Sequence, residues 1–192
     1  LIIFAETNIA KDMESKLVGR QHEWDLLDEV MKSGESEMVI VYGRRRVGKT
    51  YLVKNFFHNQ FAFYMTGIFE GTLADQLANF SVRLSLHSQR QQKVPGSWFE
   101  AFSMLQSYLE SLKGSENLVV FIDELPWLDT PNSRFIKALE LFWNSWGSTC
   151  TRLKFFVCGS ATTWMLSKII GDRGGLHNRV THRIYLRSFT LS

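Results

Sequence analysis

Eight residues hold the densest chemistry in this chain: Gly43, Arg44, Arg45, Arg46, Val47, Gly48, Lys49 and Thr50, with Tyr51 following at once. An apolar, strand-like run (38–42) leads into them and a helix-compatible stretch (49–59) leads out. Glycines at 43 and 48 let the backbone curl until successive N–H groups point inward, and a helix starting at Lys49 adds the partial positive charge of its N-terminus. Such a loop cradles phosphate. Lys49 can then reach the β- and γ-phosphates of a nucleoside triphosphate, and the Thr50 hydroxyl can ligate Mg²⁺. With glycine near ~7% of residues, the pattern arises by chance in fewer than about one in a hundred chains of this length. A basic surface turn would need neither the strand before it nor the helix after it.

A phosphate cradle needs a carboxylate for the metal and a group to activate water, both at the end of another buried strand. Leu118-Val119-Val120-Phe121-Ile122-Asp123-Glu124 supplies them, with Asp123 standing 74 residues after Lys49. Five apolar residues deliver Asp123 to the carboxyl edge of a sheet, in reach of the Mg²⁺ shell, and Glu124 beside it can polarise the attacking water. A third element, Phe155-Phe156-Val157-Cys158-Gly159-Ser160, ends another apolar run on a hydroxyl. Ser160 can sense the γ-phosphate, hold the water, or cap the helix that follows through Trp164.

The elements that position these groups read as alternating strands and helices. Strands are expected over 38–42, 61–65, 118–122, 154–158 and 183–186, most without polar alternation, as befits strands covered on both faces. Helices are expected over 20–32, from Thr72 with Asp75 three residues on, from Ser97 with Glu100 three residues on, and along Phe135, Leu139, Phe142 and Trp146. Trp98, Phe102, Leu105, Leu109 and Leu112 recur at helical spacing, so these aromatics belong to the core rather than to a ligand platform. This alternation predicts one α/β layer structure around a parallel sheet.

Composition narrows the class. Of 192 residues, 45% are apolar and 21% charged, the balance of a globular domain. No apolar run approaches the ~18 residues that span a bilayer, which argues against a membrane role. Two cysteines, Cys150 and Cys158, form neither a disulfide framework nor a zinc spacing, so a cytoplasmic setting is expected. The chain opens on Leu1 and "LIIF", too short for a signal peptide, and reads as a fragment: an N-terminal arm over 1–16 and a core over 17–192. Net charge is +3, but residues 168–192 hold five Lys or Arg against one acid, Asp172. That basic end is either a solvated face or a surface for phosphate.

Taken together, "LVGRQHEWDLL" (17–27), "VIVYGRRRVGKT", "VVFIDELPWL" and "CGSATTWM" resemble the archaeal-type AAA+/STAND-related P-loop ATPases, from residue 17 onward. The resemblance implies an ATP- and Mg²⁺-dependent ATPase core with a RecA-like sheet of order 5-1-4-3-2, and it sets Val18, Gly19 and Arg20 beside the adenine. Members continue into a helical lid, a winged helix and often a nuclease-like domain, through which a nucleic acid or protein partner would be met. They also carry a Gly-Arg-Arg segment where this chain has His177-Asn178-Arg179. Arg179 is the nearest equivalent of a γ-phosphate or finger arginine.

Three functions compete on these residues. The first is an ATPase module that energises or switches a larger protein. The second is a nucleic-acid motor, suggested by Asp123-Glu124-Leu125-Pro126 and Ser160-Ala161-Thr162, although a helicase of that kind needs a second RecA-like domain. The third is a nucleotide-held docking module with negligible turnover. No Asn-Lys-x-Asp or Thr-Lys-x-Asp base-reading motif supports a GTPase, and no Leu-Ser-Gly-Gly-Gln signature supports an ABC ATPase.

Overall fold

Five strands, all parallel, form the centre of the molecule. A computed structural model describes residues 20–160, 162–171 and 176–188; the expected arm over 1–16 lies outside them. The strands are β1 (Glu37–Gly43), β2 (Phe63–Thr66), β3 (Leu118–Asp123), β4 (Leu153–Gly159) and β5 (His182–Leu186). They lie side by side as β2-β3-β4-β1-β5, every pair parallel, which is the expected order 5-1-4-3-2. β3 and β4 are buried along their whole length, as their Leu, Val, Ile and Phe require, with Lys154 the one charged residue inside β4. Because all strands run one way, their carboxyl ends share one edge, and that edge receives Gly43, Asp123 and Gly159.

Helices cover both faces. On one, α1 (Gln21–Lys32) and α2 (Lys49–Phe56) bury Leu27, Val30, Leu52 and Val53 against Val39, Val41, Phe121, Phe156 and Ile184. On the other, α3 (Leu73–Ser88), α4 (Trp98–Ser111) and α5 (Phe135–Ser145) pack an aromatic core. Trp98, 1% exposed, meets Phe135 edge-on at 4.9 Å, and Phe102 stacks on Phe142 at 5.2 Å. Each buried ring of this kind stabilises the fold by about 1.5–3 kcal/mol. The aromatic stripe is core. A short α6 (Thr162–Met165) continues as a π-turn to Ile170. Among the described residues no helix is long and apolar enough to cross a membrane.

Local signals set most element ends, with three differences. α3 opens on a full capping box, the Thr72 hydroxyl and Asp75 carboxylate each accepting the other's backbone N–H. At α4 only half of that box forms. The Ser97 hydroxyl accepts from Glu100 N, but the Glu100 carboxylate takes Gly96 N at 2.7 Å instead. α2 stops at Phe56 rather than reaching Asn59, because His58 and Asn59 take left-handed φ values of 50° and 58°. β2 starts two residues later than expected, and the Phe61 ring packs on Phe57 and Phe121 at 5.7 and 5.5 Å.

The outer edge of β2 is closed by side chains of α3. The Tyr64 N–H donates to His87 Nε2 at 3.1 Å, and Asn79 Nδ2 donates to Thr66 O at 2.8 Å. Fully buried Gln76 accepts from Ile68 N at 3.0 Å and donates to Ile68 O at 2.7 Å. Side chains that mimic a neighbouring strand remove the edge as a template for aggregation.

His87 must be neutral at Nε2 to accept that bond, and its burial lowers its pKa, with Arg83 adding to the effect. The folded chain therefore refuses a proton that the unfolded chain accepts below the ordinary histidine value of ~6.5. His87 should contribute no pH dependence above that value, and should make stability decline as pH falls below it. Urea titrations on both sides of that value check this. His87→Gln, which keeps an acceptor, should flatten that part of the slope; an unchanged slope would assign it to another group.

Candidate functional site

β1 runs directly into the loop 43–48, and the loop's shape follows from three residues. Gly43 has φ 145°, and a Cβ there would lie 2.3 Å from the Leu186 carbonyl oxygen, so only glycine lets β5 approach this closely. Arg46 and Gly48, with φ 65° and 91°, then turn the chain left-handed into α2. Gly48 offers no side-chain cap to α2, so the helix's first N–H groups are free of any side-chain acceptor from that position, the usual condition of an anion cradle. Val47 is buried and anchors the loop, while Arg44, Arg45 and Arg46 are exposed. Tyr51, 53% exposed, projects from the first turn of α2.

Lys49 is 6% exposed and folds back over the loop, its Nζ donating to Gly43 O at 3.2 Å and Arg44 O at 2.8 Å. The next side chain ties the loop to β3. Thr50 Oγ1 donates to Asp123 Oδ2 at 2.8 Å, and Asp123, 3% exposed, accepts Glu124 N at 2.9 Å on its other oxygen. Cys158 of β4 lies against this carboxylate; burial first, then the charge of Asp123, push its thiol well above the ordinary value.

Glu124 sits in the left-handed region at φ 48°, ψ 48°, a conformation that costs a non-glycine residue about 1–3 kcal/mol. Its carboxylate accepts the Ser160 hydroxyl at 3.1 Å. This contact exists because β4 lies between β1 and β3. Gly159 makes the approach feasible: a Cβ there would stand 2.8 Å from Met165 Sδ and 2.9 Å from Pro126 Cδ.

Lys49, Thr50, Asp123, Glu124 and Ser160 are thus brought to one edge. Arg20 reaches the same region in another capacity. Its Nη2 donates to Val47 O at 3.3 Å and Arg187 O at 2.6 Å, and its Nη1 pairs with Glu23 at 3.1 Å. It joins the loop to the exit of β5. Val18 and Gly19 lie outside the described residues. Arg179 is not brought in. It is exposed, in the turn His177–Arg179, two residues before Thr181, whose N–H bonds Met38 O at 2.9 Å. Gly43 pairs with Leu186, so at ~3.3 Å per residue Thr181 stands about 16 Å below the loop, at the opposite edge of the sheet.

One cluster at the loop was not legible beforehand. Arg45 lies over the rings of Phe69 and Trp127 at 5.7 and 5.9 Å, and those rings meet edge-on at 5.3 Å. Buried Gln76 donates to Trp127 O at 3.1 Å as well as to Ile68, fastening the segments after β2 and β3 together. Cation–ring pairs between residues this far apart leave no periodic trace in a sequence.

Among the described residues no cluster of three or more His, Cys, Asp or Glu forms a metal cage. The oxygen pair of Thr50 and Asp123 is a hard donor set of the kind that holds Mg²⁺ jointly with substrate phosphates, which needs only one or two protein ligands. The residues fit that ion.

Comparison with known proteins agrees with this fold. An uncharacterised protein of Methanocaldococcus jannaschii, MJECL04, is 27% identical over 168 residues, 85% of this chain and 34% of its own length. An uncharacterised ATP-binding protein of the same organism, MJ0423, is 42% identical over 43 residues, 22% of this chain and 73% of its own. Among solved structures, the Walker-type ATPase PABY2304 of Pyrococcus abyssi superposes with a TM-score of 0.59 at 18% identity, covering 91% of this chain and 55% of that one. Cdc6p of Pyrobaculum aerophilum gives 0.62 at 16%, covering 91% and 47%. This chain therefore spans about a third of its longer relative and about half of each solved neighbour, whose likeness is one of fold. Residues 17–192 match the family described as an ATPase domain predominantly from Archaea, and the chain belongs to that family.

Proposed function

We propose that the loop 43–50 binds ATP with Mg²⁺ and that the edge it shares with β3 and β4 hydrolyses it, within an AAA+/STAND-like core that energises or switches a larger protein. The observation that carries this reading is the Thr50–Asp123 hydrogen bond at 2.8 Å. It places a hydroxyl and a carboxylate together beside a lysine that already spans the phosphate loop. ATP would draw Lys49 Nζ from the Gly43 and Arg44 carbonyls onto its β- and γ-phosphate oxygens. Thr50 and Asp123 would hold Mg²⁺, which when bound offsets phosphate charge. Glu124 is the group placed to take a proton from water as the water oxygen bonds to the γ-phosphorus and the bond to the bridging oxygen breaks, releasing ADP. Ser160 orients that carboxylate through its 3.1 Å bond. Such positioning and electrostatics, rather than covalent chemistry, supply most of the rate in phosphoryl transfer.

Three expectations test it. ATP·Mg²⁺ engages the folded loop alone, so at 100-fold above Kd it should add ~2.7 kcal/mol, a rise in Tm of roughly 5–10 °C for a domain this size. Lys49→Ala should remove most of that rise in a thermal-shift titration; an equal rise in the variant would put the ligand elsewhere.

Glu124→Gln keeps shape and hydrogen bonding but loses the charge that polarises water. It should bind ATP with near-normal affinity and lose most steady-state hydrolysis, whereas Asp123→Asn should weaken the dependence on Mg²⁺. Wild-type turnover in Glu124→Gln would sink the assignment of the base.

On this reading Arg179, on the far edge, does not serve the loop of its own chain. The chain should be largely monomeric and turn over well below the ~1 s⁻¹ lower end of typical enzymes, because a missing finger arginine costs ~10³–10⁵ in kcat. Arg179→Ala should leave that slow rate nearly unchanged. Turnover of several per second by a monomer, lost in Arg179→Ala, would contradict the placement and the assignment alike.

A further inference from the structure

β5 carries a pattern that nucleotide chemistry at the loop does not use. Ile184 and Leu186 face the core, 2% and 1% exposed, while Arg183 and Tyr185, which alternate with them, are exposed, as is Arg187 immediately after the strand. Tyr185 pairs in register with Tyr42 of β1. Their rings lie 5.2 Å apart at 46°, and Tyr42 is itself packed against the core. Tyr185 is therefore held by a second ring while 46% exposed. Residues two apart on a strand are separated by ~6.6 Å, so the two arginines stand about 13 Å apart with the tyrosine midway. That spacing is close to two phosphate steps of an extended nucleic-acid strand. Lys168 and Arg179 are also exposed, Asp172 is the one acid from residue 168 onward, and the acids met from other elements, Glu37 at His182 and Glu23 at Arg20, are each paired with a basic side chain.

We propose that this face of β5 binds single-stranded nucleic acid, one base stacking on Tyr185 and two phosphates two steps apart meeting Arg183 and Arg187. A supported aromatic ring between cations is what sequence-tolerant single-strand binding requires, since every base has a face to stack and every nucleotide a phosphate. Duplex keeps its bases stacked inside and offers Tyr185 nothing. An acidic peptide would satisfy the arginines and leave the ring unused. The surface uses none of the side chains proposed to bind ATP, so it stands whether or not that chemistry does. It also touches the loop: the Arg20 guanidinium donates to both Arg187 O and Val47 O, so a strand seated at Arg187 abuts the phosphate cradle.

The test is fluorescence anisotropy of a labelled oligothymidylate of about 15 nucleotides, near the upper end of the ~4–16 nucleotide footprints of such sites. Binding should weaken with salt, and Arg183→Gln should reduce the slope of log K against log salt by ~0.7, the share of one phosphate contact on a single strand. Tyr185→Ser should weaken binding by about 5- to 150-fold at fixed salt, the loss expected for one stacked base. Both variants should keep the far-UV circular dichroism spectrum and the Tm of the parent chain, which report an intact fold. Lys49→Ala should bind the oligonucleotide as the parent does. Absence of binding at low salt, parental affinity in both β5 variants, duplex binding as tight as single-strand binding, or loss of binding in Lys49→Ala would each overturn the proposal.

Discussion

A carboxylate 3% exposed at the end of an apolar strand is the constraint on which the candidate site depends. Asp123 follows five apolar residues, and water cannot solvate it there, so the protein must supply its partners. It does so from two directions. The Thr50 hydroxyl reaches one oxygen from the first turn of α2, and the Glu124 backbone N–H reaches the other. The first bond fixes the loop relative to the sheet. The second fixes Glu124 in the left-handed region, from which its side chain meets Ser160. One buried charge thus sets the positions of the residues proposed to hold the metal and to activate water.

The opposite edge of the sheet is held by a second buried charge that does no chemistry. Lys154 of β4 is fully buried, and its Nζ donates to Ser33 O at 2.8 Å, to Ser33 Oγ at 2.9 Å and to Glu35 O. Burial pushes its pKa down, against the pull of Glu37 and Glu35. Glu37 answers from β1. Burial works against its carboxylate, but hydrogen bonds from Ser33 and Thr181 and the charges of His182 and Lys154 outweigh that and hold its pKa below the ordinary value. Its 3.3 Å contact to His182 brings in β5. Three adjacent strands are therefore pinned at their amino ends by one polar cluster. Removing one member would strand the others without partners, the costly way to break such a group.

The strands, the helical stripes and the loop were legible because each is a local pattern. An unbroken apolar run of five residues identified β3, the four apolar residues after Lys154 identified β4, and Trp98, Phe102, Leu105 and Leu109 identified the buried side of α4. The sheet order came from resemblance, since nothing local in residues 154–158 says that β4 inserts between β1 and β3. What escaped reading was long-range. Arg20 bonds a carbonyl 167 residues away, Lys154 one 121 residues away, and Gln76 one 51 residues away. Arg179 could be matched to a motif in the chain, but its distance from the loop depends on the register of β5 with β1, which pairs Gly43 with Leu186. At Ser97 the local pattern was right and its outcome was not, because Lys93 and Gly96 compete for the Glu100 carboxylate.

Backbone strain shows how this edge keeps its shape. Arg46, Glu70 and Glu124 all have positive φ, at 65°, 55° and 48°, and they belong to the three segments that follow β1, β2 and β3. Each such residue costs about 1–3 kcal/mol unless its surroundings impose it. The surroundings here do. Val47 and the Arg20 bond restrain the first segment, Gln76 the second, and the Asp123 and Ser160 contacts the third. Gly67 lets the second and third press together, since a Cβ there would lie 2.8 Å from Glu124 O. Arg45 closes the set by lying over Phe69 and Trp127. A site whose segments hold one another in strained conformations has its geometry in place before a ligand arrives. For the ATP binding proposed above, binding energy would then go to the phosphates rather than to ordering the loops, the arrangement that favours a transition state over mere affinity.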